Sequence, residues 1–124
     1  MLAGMDVEIT VEALAAHLSQ PAVSKESAEP TQPTRAFCLL DVRESWEVQI
    51  CALPGILHIP MGELPARLQQ ELHPGQHIIV VCHHGVRSLC VTHWMREQGY
   101  ARTQSLAGGI DAWSGRIDPS VPTY

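Results

Sequence analysis

Long apolar runs and a surplus of basic residues are both missing from this sequence. No segment approaches the roughly 20 consecutive apolar residues that a helix needs to span a bilayer, so we expect no membrane partner. The chain has 13 acidic residues against 8 Lys and Arg, a net charge of −5. This balance argues against nucleic acid as a partner, because phosphate binding calls for a basic face. Residues 1–6 carry neither the basic region nor the apolar stretch of a secretory signal.

The four cysteines do not have the pattern of a disulfide framework. They are Cys38, Cys51, Cys82 and Cys90, and three of the four lie inside or beside apolar runs. Thiols stay free in a reducing compartment, so we predict a cytoplasmic location. A chain of 124 residues is long enough to build a core without covalent staples, and we expect one domain over residues 1–124.

Short apolar segments alternate with segments of helical spacing, which predicts an α/β domain with a parallel sheet. The predicted strands are residues 7–9, 36–42, 57–59, 78–81 and 103–106. The predicted helices are residues 11–19, with Thr10 as the N-cap, 43–49, 61–72 and 88–98, and a short helix after Gly109.

Two segments are predicted to lie outside these elements. Residues 20–35 are rich in Pro, Ser, Thr and Glu and have little to bury, which indicates a flexible surface loop within the domain. Residues 118–124 contain Pro119 and Pro122 and are predicted to form an extended tail across the surface.

The most informative segment is the run Ile-Ile-Val-Val-Cys-His-His-Gly-Val-Arg-Ser at residues 78–88. A buried strand ends at Cys82, and a helix begins a few residues later. A loop that turns from a parallel strand into a helix N-terminus points several amide N–H groups at one place, which stabilises an anion. Cysteine readily becomes such an anion when amides and an arginine surround it, so we expect an accessible sulfur at the floor of this loop. Gly85 would supply the backbone conformation that other residues resist.

Four segments of the chain resemble the single-domain rhodanese family, in the family's order and spacing. They are Asp-Val-Arg-Glu at residues 41–44, residues 53–60, the loop from Cys82 to Arg87, and Leu-Ala-Gly-Gly-Ile-Asp-Ala-Trp at residues 106–113. The resemblance implies a rhodanese-like α/β fold, with a central parallel five-stranded sheet and helices on both faces. It also implies that a sulfane sulfur moves from thiosulfate or a persulfide to cyanide or a thiol, through a Cys82 persulfide and without a cofactor.

By the same resemblance, the residues that follow Cys82 form the rim that binds substrate: His83, His84, Gly85, Val86, Arg87 and Ser88. Counted from Cys82 to Arg87 the loop has six members, which is similar to the sulfur-transferring members of the fold, whereas related phosphatases carry one residue more. At residues 51–52 this chain has Cys-Ala where the family often has Gly-His, so no role usually lent by that histidine applies here.

Two side chains have open alternatives. Arg87 would either orient the oxyanion of the donor or brace the loop against a carboxylate such as Asp41 or Glu44. Asp41 and Arg43 are also candidates for supporting the site. Cys90 would either pack in the core or act as a resolving thiol that takes the persulfide to a disulfide.

No metal site is predicted at the loop. Zinc ligands normally come from spaced pairs whose side chains converge, whereas neighbours such as His83 and His84 are expected to diverge on a tight loop. His93 lies nearly three helical turns further on, too far to complete a site with Cys82.

Two rival functions remain open on the sequence. One is a catalytically idle module of the same fold that only binds a partner protein. The other is a phosphatase or a thiol peroxidase that uses the same cysteine. The sequence leaves the physiological donor and acceptor undecided, and the oligomeric state is either monomer or homodimer.

Overall fold

The computed structural model describes residues 5–19 and 37–124, and in this part of the chain five parallel strands form one sheet. The order of the strands is β1-β5-β4-β2-β3. Their bounds are β1 Glu8–Ile9, β2 Cys38–Asp41, β3 Leu57–His58, β4 Ile78–Val81 and β5 Thr103–Leu106. Because β4 pairs with β2 on one side and β5 on the other, the residue that follows β4 emerges at the centre of the sheet.

Helices cover both faces of the sheet. Their bounds are α1 Val11–Leu18, α2 Ser45–Ile50, α3 Leu64–Glu71, α4 Val86–Glu97 and α5 Gly109–Arg116, with a 3₁₀ turn at Met61–Glu63 before α3. Helices α1 and α5 contribute to the core on one face, and α3 and α4 to the core on the other. The fold predicted from the resemblance is confirmed. Among the described helices, none has the length and apolar character required to cross a membrane.

The central strand explains why its sequence is an unbroken apolar run. Ile79 and Val81 pack into the core beneath α1 and α5, whereas Ile78 and Val80 pack into the core beneath α3 and α4. All four side chains are fully buried, as expected for a parallel strand covered on both faces. Burial on both faces fixes the position at which β4 ends and Cys82 begins the next segment.

Local signals place most element boundaries correctly. Thr10 caps α1 by accepting a hydrogen bond from the Ala13 amide at 3.1 Å, as predicted. Helix α4 begins at Val86, two residues before the predicted start, because Gly85 serves as its N-cap. The predicted loop at residues 20–35 and the first residue of the predicted second strand lie outside the described residues.

Candidate active site

The loop after β4 depends on a left-handed glycine. Gly85 has φ +98° and ends a loop so short that Val86 already belongs to α4. A Cβ at this position would lie 3.0 Å from the Gly108 amide nitrogen, so both space and conformation require glycine. The expectation for the Gly85 backbone is thereby confirmed, and its tight turn directs the first amides of α4 back toward Cys82.

The sulfur of Cys82 receives hydrogen bonds from two of these amides. The Gly85 N–H lies 3.1 Å and the Ser88 N–H 3.3 Å from Sγ. The thiol itself donates to Ser88 Oγ at 3.3 Å, and that hydroxyl is 2.7 Å from Ser105 Oγ. The sequence predicts amides from the whole span 83–88 around the sulfur; the structure brings two of them within hydrogen-bonding distance. Together with the positive end of α4, these donors stabilise negative charge on sulfur.

The expectation of an accessible sulfur is wrong for this conformation. Cys82 is only 1% exposed and packs in the core cluster beneath α3 and α4. The physical reason is that the first turn of α4 folds directly over the end of β4.

Helix α5 holds the opposite side of the loop. The amides of Ile110 and Asp111 donate to the carbonyl oxygens of Cys82 and His83 at 2.9 and 3.0 Å. A Cβ at Gly109 would collide with the main chain of these two residues. Because the carbonyl oxygens are bound by α5, the loop is fixed from both sides. The Gly-Gly pair at 108–109 was the sequence signal for this close approach.

Arg87 braces the loop, although its partner differs from both predicted carboxylates. Its two terminal nitrogens each lie 2.8 Å from an oxygen of Glu47, which is 3% exposed. Asp41 is not the partner because it is already paired with Arg43 at 2.7 Å. Glu44 is not the partner because it lies at the N-cap of α2. Glu47 was not among the predicted partners, although it stands three residues after Glu44 in the spacing of a capping box.

The ion pair changes the titration of its carboxylate. Arg87 lowers the pKa of Glu47 to about 2, while burial acts in the opposite direction and the Glu44 amide and the Tyr124 hydroxyl assist Arg87. Glu47 in turn raises the pKa of Arg87. At neutral pH the positive charge of Arg87 is therefore balanced by the negative charge of Glu47.

Arg43 supports the site from beneath without touching Cys82 in the contacts described. It is fully buried and pairs with Asp41 while its Nη2 donates to the Cys51 carbonyl at 2.7 Å. A longer bond of 3.4 Å joins its Nη1 to the Glu47 carbonyl. Asp41 and Arg43 thus connect the end of β2 to Glu47 within α2 and to Cys51, which follows α2.

The last residue of the chain reaches the same network. The Tyr124 hydroxyl accepts from Arg43 Nη1 and donates to Glu47 Oε1, both at 2.9 Å, and its ring stacks on His83 with centroids 3.8 Å apart. Burial raises the pKa of Tyr124 to about 12. The tail is non-helical and lies at the surface, where a turn at Asp118 brings Tyr124 onto the site.

The two loop histidines lie together instead of diverging. Their rings are stacked with centroids 3.8 Å apart and planes at 27°. Burial, and secondly His84, lowers the pKa of His83, which keeps this imidazole neutral at neutral pH. The prediction that His83 and His84 diverge, which was the argument against a metal site, is therefore wrong.

Cys90 is exposed, so the first of its two predicted alternatives, packing in the core, is wrong. It lies two residues beyond Ser88 on α4, which is a rotation of about 200° around the helix. Ser88 faces the Cys82 sulfur, and Cys90 consequently lies on another side of the helix. This position does not favour the alternative role as a resolving thiol.

The pattern of the rhodanese-like domain family matches residues 14–116 of this chain. The chain belongs to the rhodanese-like domain family. Solved structures share the fold: a rhodanese-related protein from Thermoplasma volcanium superposes with a TM-score of 0.72, covering 94% of this chain and 98% of that chain at 23% identity. The human single-domain sulfurtransferase superposes with a TM-score of 0.68, covering 90% of this chain and 98% of that chain at 22% identity.

Sequence relatives of this rhodanese-like domain include proteins of different lengths. A chloroplastic rhodanese-like/PpiC domain-containing protein of Arabidopsis thaliana is 33% identical over 94% of this chain, which spans 37% of that protein. The putative sulfurtransferase YtwF of Bacillus subtilis is 36% identical over 73% of this chain and 86% of its own length. In the same organism, the putative sulfur carrier protein YrkF is 32% identical over 81% of this chain and 54% of its own length.

Proposed function

We propose that this rhodanese-like domain is a sulfurtransferase in which Cys82 carries a sulfane sulfur as a persulfide. The observation that carries the proposal is the convergence of the Gly85 and Ser88 amides on Cys82 Sγ. Donors fixed in this way stabilise a sulfur anion without reorganising during the reaction. The relatives named as a putative sulfurtransferase and a putative sulfur carrier support the same chemistry.

The reaction has two halves, each a displacement at sulfur. In the first, the Cys82 thiolate attacks the outer sulfur of the donor; a new S–S bond forms, and the donor's S–S bond breaks with sulfite or a thiolate leaving. In the second, an acceptor such as cyanide or a thiol attacks the outer sulfur of the persulfide. The Cys82–sulfur bond then breaks, the thiolate is restored, and the acceptor leaves as thiocyanate or a persulfide.

The paired hydroxyls beneath the sulfur suit both charge states of Cys82. In the thiol form Cys82 donates to Ser88 Oγ, as the structure has it. In the thiolate form Ser88 can turn its hydrogen toward the sulfur, since Ser105 Oγ lies 2.7 Å from Ser88 Oγ and either of these atoms can donate. The two serines therefore exchange donor and acceptor roles as the sulfur gains and loses charge.

Of the two donor classes, we expect a persulfide to be used better than thiosulfate. Both terminal nitrogens of Arg87 are bound to Glu47, whose negative charge offsets the attraction that this arginine would exert on a dianion. A low-molecular-weight persulfide, such as that of glutathione, carries its reactive end with less charge to compensate. Because the thiol must stay reduced between turnovers, we also propose a cytoplasmic location.

The decisive experiment follows the sulfur itself. The intact protein is incubated with thiosulfate or with glutathione persulfide, and the peptide that contains Cys82 is weighed by mass spectrometry; cyanide is then added and thiocyanate measured. We expect one added sulfur on Cys82, loss of both signals in Cys82→Ser, and retention of both in the matched control Cys90→Ser. A folded protein that gains no sulfur and forms no thiocyanate would overturn the proposal.

A partner-binding module without catalysis is the second candidate, and the 1% exposure of Cys82 is the observation that favours it. A folded protein that never acquires sulfur from either donor is the result expected for that candidate. Release of phosphate from an aryl phosphate, lost in Cys82→Ser, would instead indicate the phosphatase.

A further inference from the structure

Three side chains outside the Cys82 hydrogen bonds meet at the rim of the loop. His83, His84 and Asp111 each offer one ligand atom, and these atoms lie within 4.8 Å of one another. We propose that His83, His84 and Asp111 form a binding site for one borderline divalent cation, with Zn²⁺ as its representative.

The main chain already holds two of these residues in place. The Asp111 amide donates to the His83 carbonyl oxygen at 3.0 Å, so the loop and the first turn of α5 stay together. Zinc binds nitrogen and oxygen ligands at about 2.0–2.2 Å, which puts tetrahedral ligand atoms about 3.3 Å apart. His84 is exposed, so its ring can leave the stack on His83 and turn toward the other two ligand atoms.

The ring of His83 is held between two other rings. Tyr124 stacks on it with planes at 8°, and His84 stacks on it with planes at 27°. Among the described residues, His83 Nε2 is one of two buried side-chain N or O atoms without a hydrogen-bond partner. A buried nitrogen without a partner costs free energy, and a metal ion is a group that can satisfy a neutral imidazole.

The ligand set indicates the kind of cation. Two imidazoles and one carboxylate are typical of zinc and neighbouring transition metals, whereas calcium and magnesium prefer oxygen ligands alone. Three protein ligands leave the fourth position to water. Cys82 is not part of the set, because its sulfur faces Gly85 and Ser88. The proposed site therefore lies beside the nucleophile and is separate from it.

The test measures zinc directly and needs no sulfur substrate. The whole chain is prepared with Cys82→Ser and Cys90→Ser, which removes the loop thiol and the exposed thiol as competing ligands, and Zn²⁺ is titrated against a chromophoric chelator. We expect one Zn²⁺ per chain. His84→Ala and Asp111→Asn should each weaken zinc binding about tenfold or more.

His93→Ala is the matched control, since His93 is an exposed histidine on α4 outside the proposed set, and it should leave zinc affinity unchanged. Circular dichroism checks that each variant is folded; if His84→Ala were not, Asp111→Asn would decide. Absence of stoichiometric zinc binding in the parent, or equal affinity in all three variants, would overturn the proposal. Neither result depends on whether Cys82 transfers sulfur, so the two proposals fail independently.

Discussion

The Ser88 hydroxyl forms hydrogen bonds with both the Cys82 sulfur and the Ser105 hydroxyl. We predict that Ser88→Ala lowers kcat/KM for sulfur transfer by about 10- to 100-fold, because a hydrogen bond to a charged group contributes about 1.5–3 kcal/mol. Steady-state kinetics with a persulfide donor measures this change. Ser105→Ala is the matched control: it removes a hydroxyl that contacts Ser88 Oγ and not the sulfur, so its effect should be smaller. Equal losses in the two variants would contradict a direct role for the Ser88 hydroxyl.

Gly85 is the residue whose conformation shapes the loop. We predict that Gly85→Ala lowers the free energy of unfolding by about 1–3 kcal/mol, because a Cβ is strained at φ +98° and crowds the Gly108 amide. Urea unfolding measures the loss. Gly75→Ala is the control, since a Cβ there meets nothing within 4 Å. If both variants were equally stable, the left-handed conformation would not be what requires glycine at position 85.

At the scale of elements, Glu47 joins α2 to α4 through Arg87. The pKa of Glu47 lies at about 2 in the folded protein against 4.5 for an unperturbed glutamate. A pKa lowered by folding adds stability above about pH 4.5, and this stability is lost as the pH falls toward 2. The difference corresponds to on the order of 3 kcal/mol. The joint between the two helices is thus expected to weaken in acid.

The prediction is that Glu47→Gln lowers stability at pH 7 and flattens its decline between pH 4.5 and 2, as measured by urea unfolding at several pH values. Glu12→Gln serves for comparison, because Glu12 forms an exposed pair with Arg116 at 3.2 Å and should change stability by about 0–1 kcal/mol. Parallel pH profiles for Glu47→Gln and the parent protein would show that protonation of Glu47 is not what lowers stability in acid.

The order of elements was predictable from the sequence because each has a local signal. The apolar run of β4, the Thr10 cap and the glycines at 85 and 109 all act within a few residues. The bonds that complete the site are different: Glu47 meets Arg87 from 40 residues away, and Tyr124 meets Glu47 from 77 residues away. No periodicity records such pairings, and for this reason the predicted partners of Arg87 were Asp41 and Glu44, which both precede α2, and not Glu47 within it.

Burial of the Cys82 sulfur also could not be predicted from the sequence. The pattern at residues 78–88 indicates a strand, a loop and a helix, but it does not say how closely the first turn of the helix covers the end of the strand. That distance depends on Gly85 at the loop and on the contact of Gly109 with the Cys82 and His83 main chain.

At the scale of the whole molecule, the tail is bound to the residues that support the Cys82 loop. Tyr124 stands between Arg43 after β2 and Glu47 of α2, and it covers the ring of His83. The tail is held on the way by Ser114 of α5, whose hydroxyl donates to the Val121 carbonyl. Removing the tail contact should therefore lower the free energy of unfolding of the whole domain.

We predict that Tyr124→Phe lowers the free energy of unfolding by about 1–3 kcal/mol, because Arg43 and Glu47 both lose a partner while the ring remains stacked. Thermal and urea unfolding measure the loss. Tyr100→Phe is the matched comparison: the buried Tyr100 hydroxyl donates to an uncharged group, the Leu72 carbonyl, at 3.2 Å, so its loss should cost less. In a double-mutant cycle, additive losses for Tyr124→Phe and Glu47→Gln would contradict a shared network.

Helix α5 binds the loop through the carbonyl oxygens of Cys82 and His83, while the Gly85 amide further along the loop donates to the Cys82 sulfur. None of these bonds uses the exposed side chains of His84 and Val86. A combinatorial library randomised at positions 84 and 86 would consequently sample new ligand preferences while each member inherited an unaltered nucleophile.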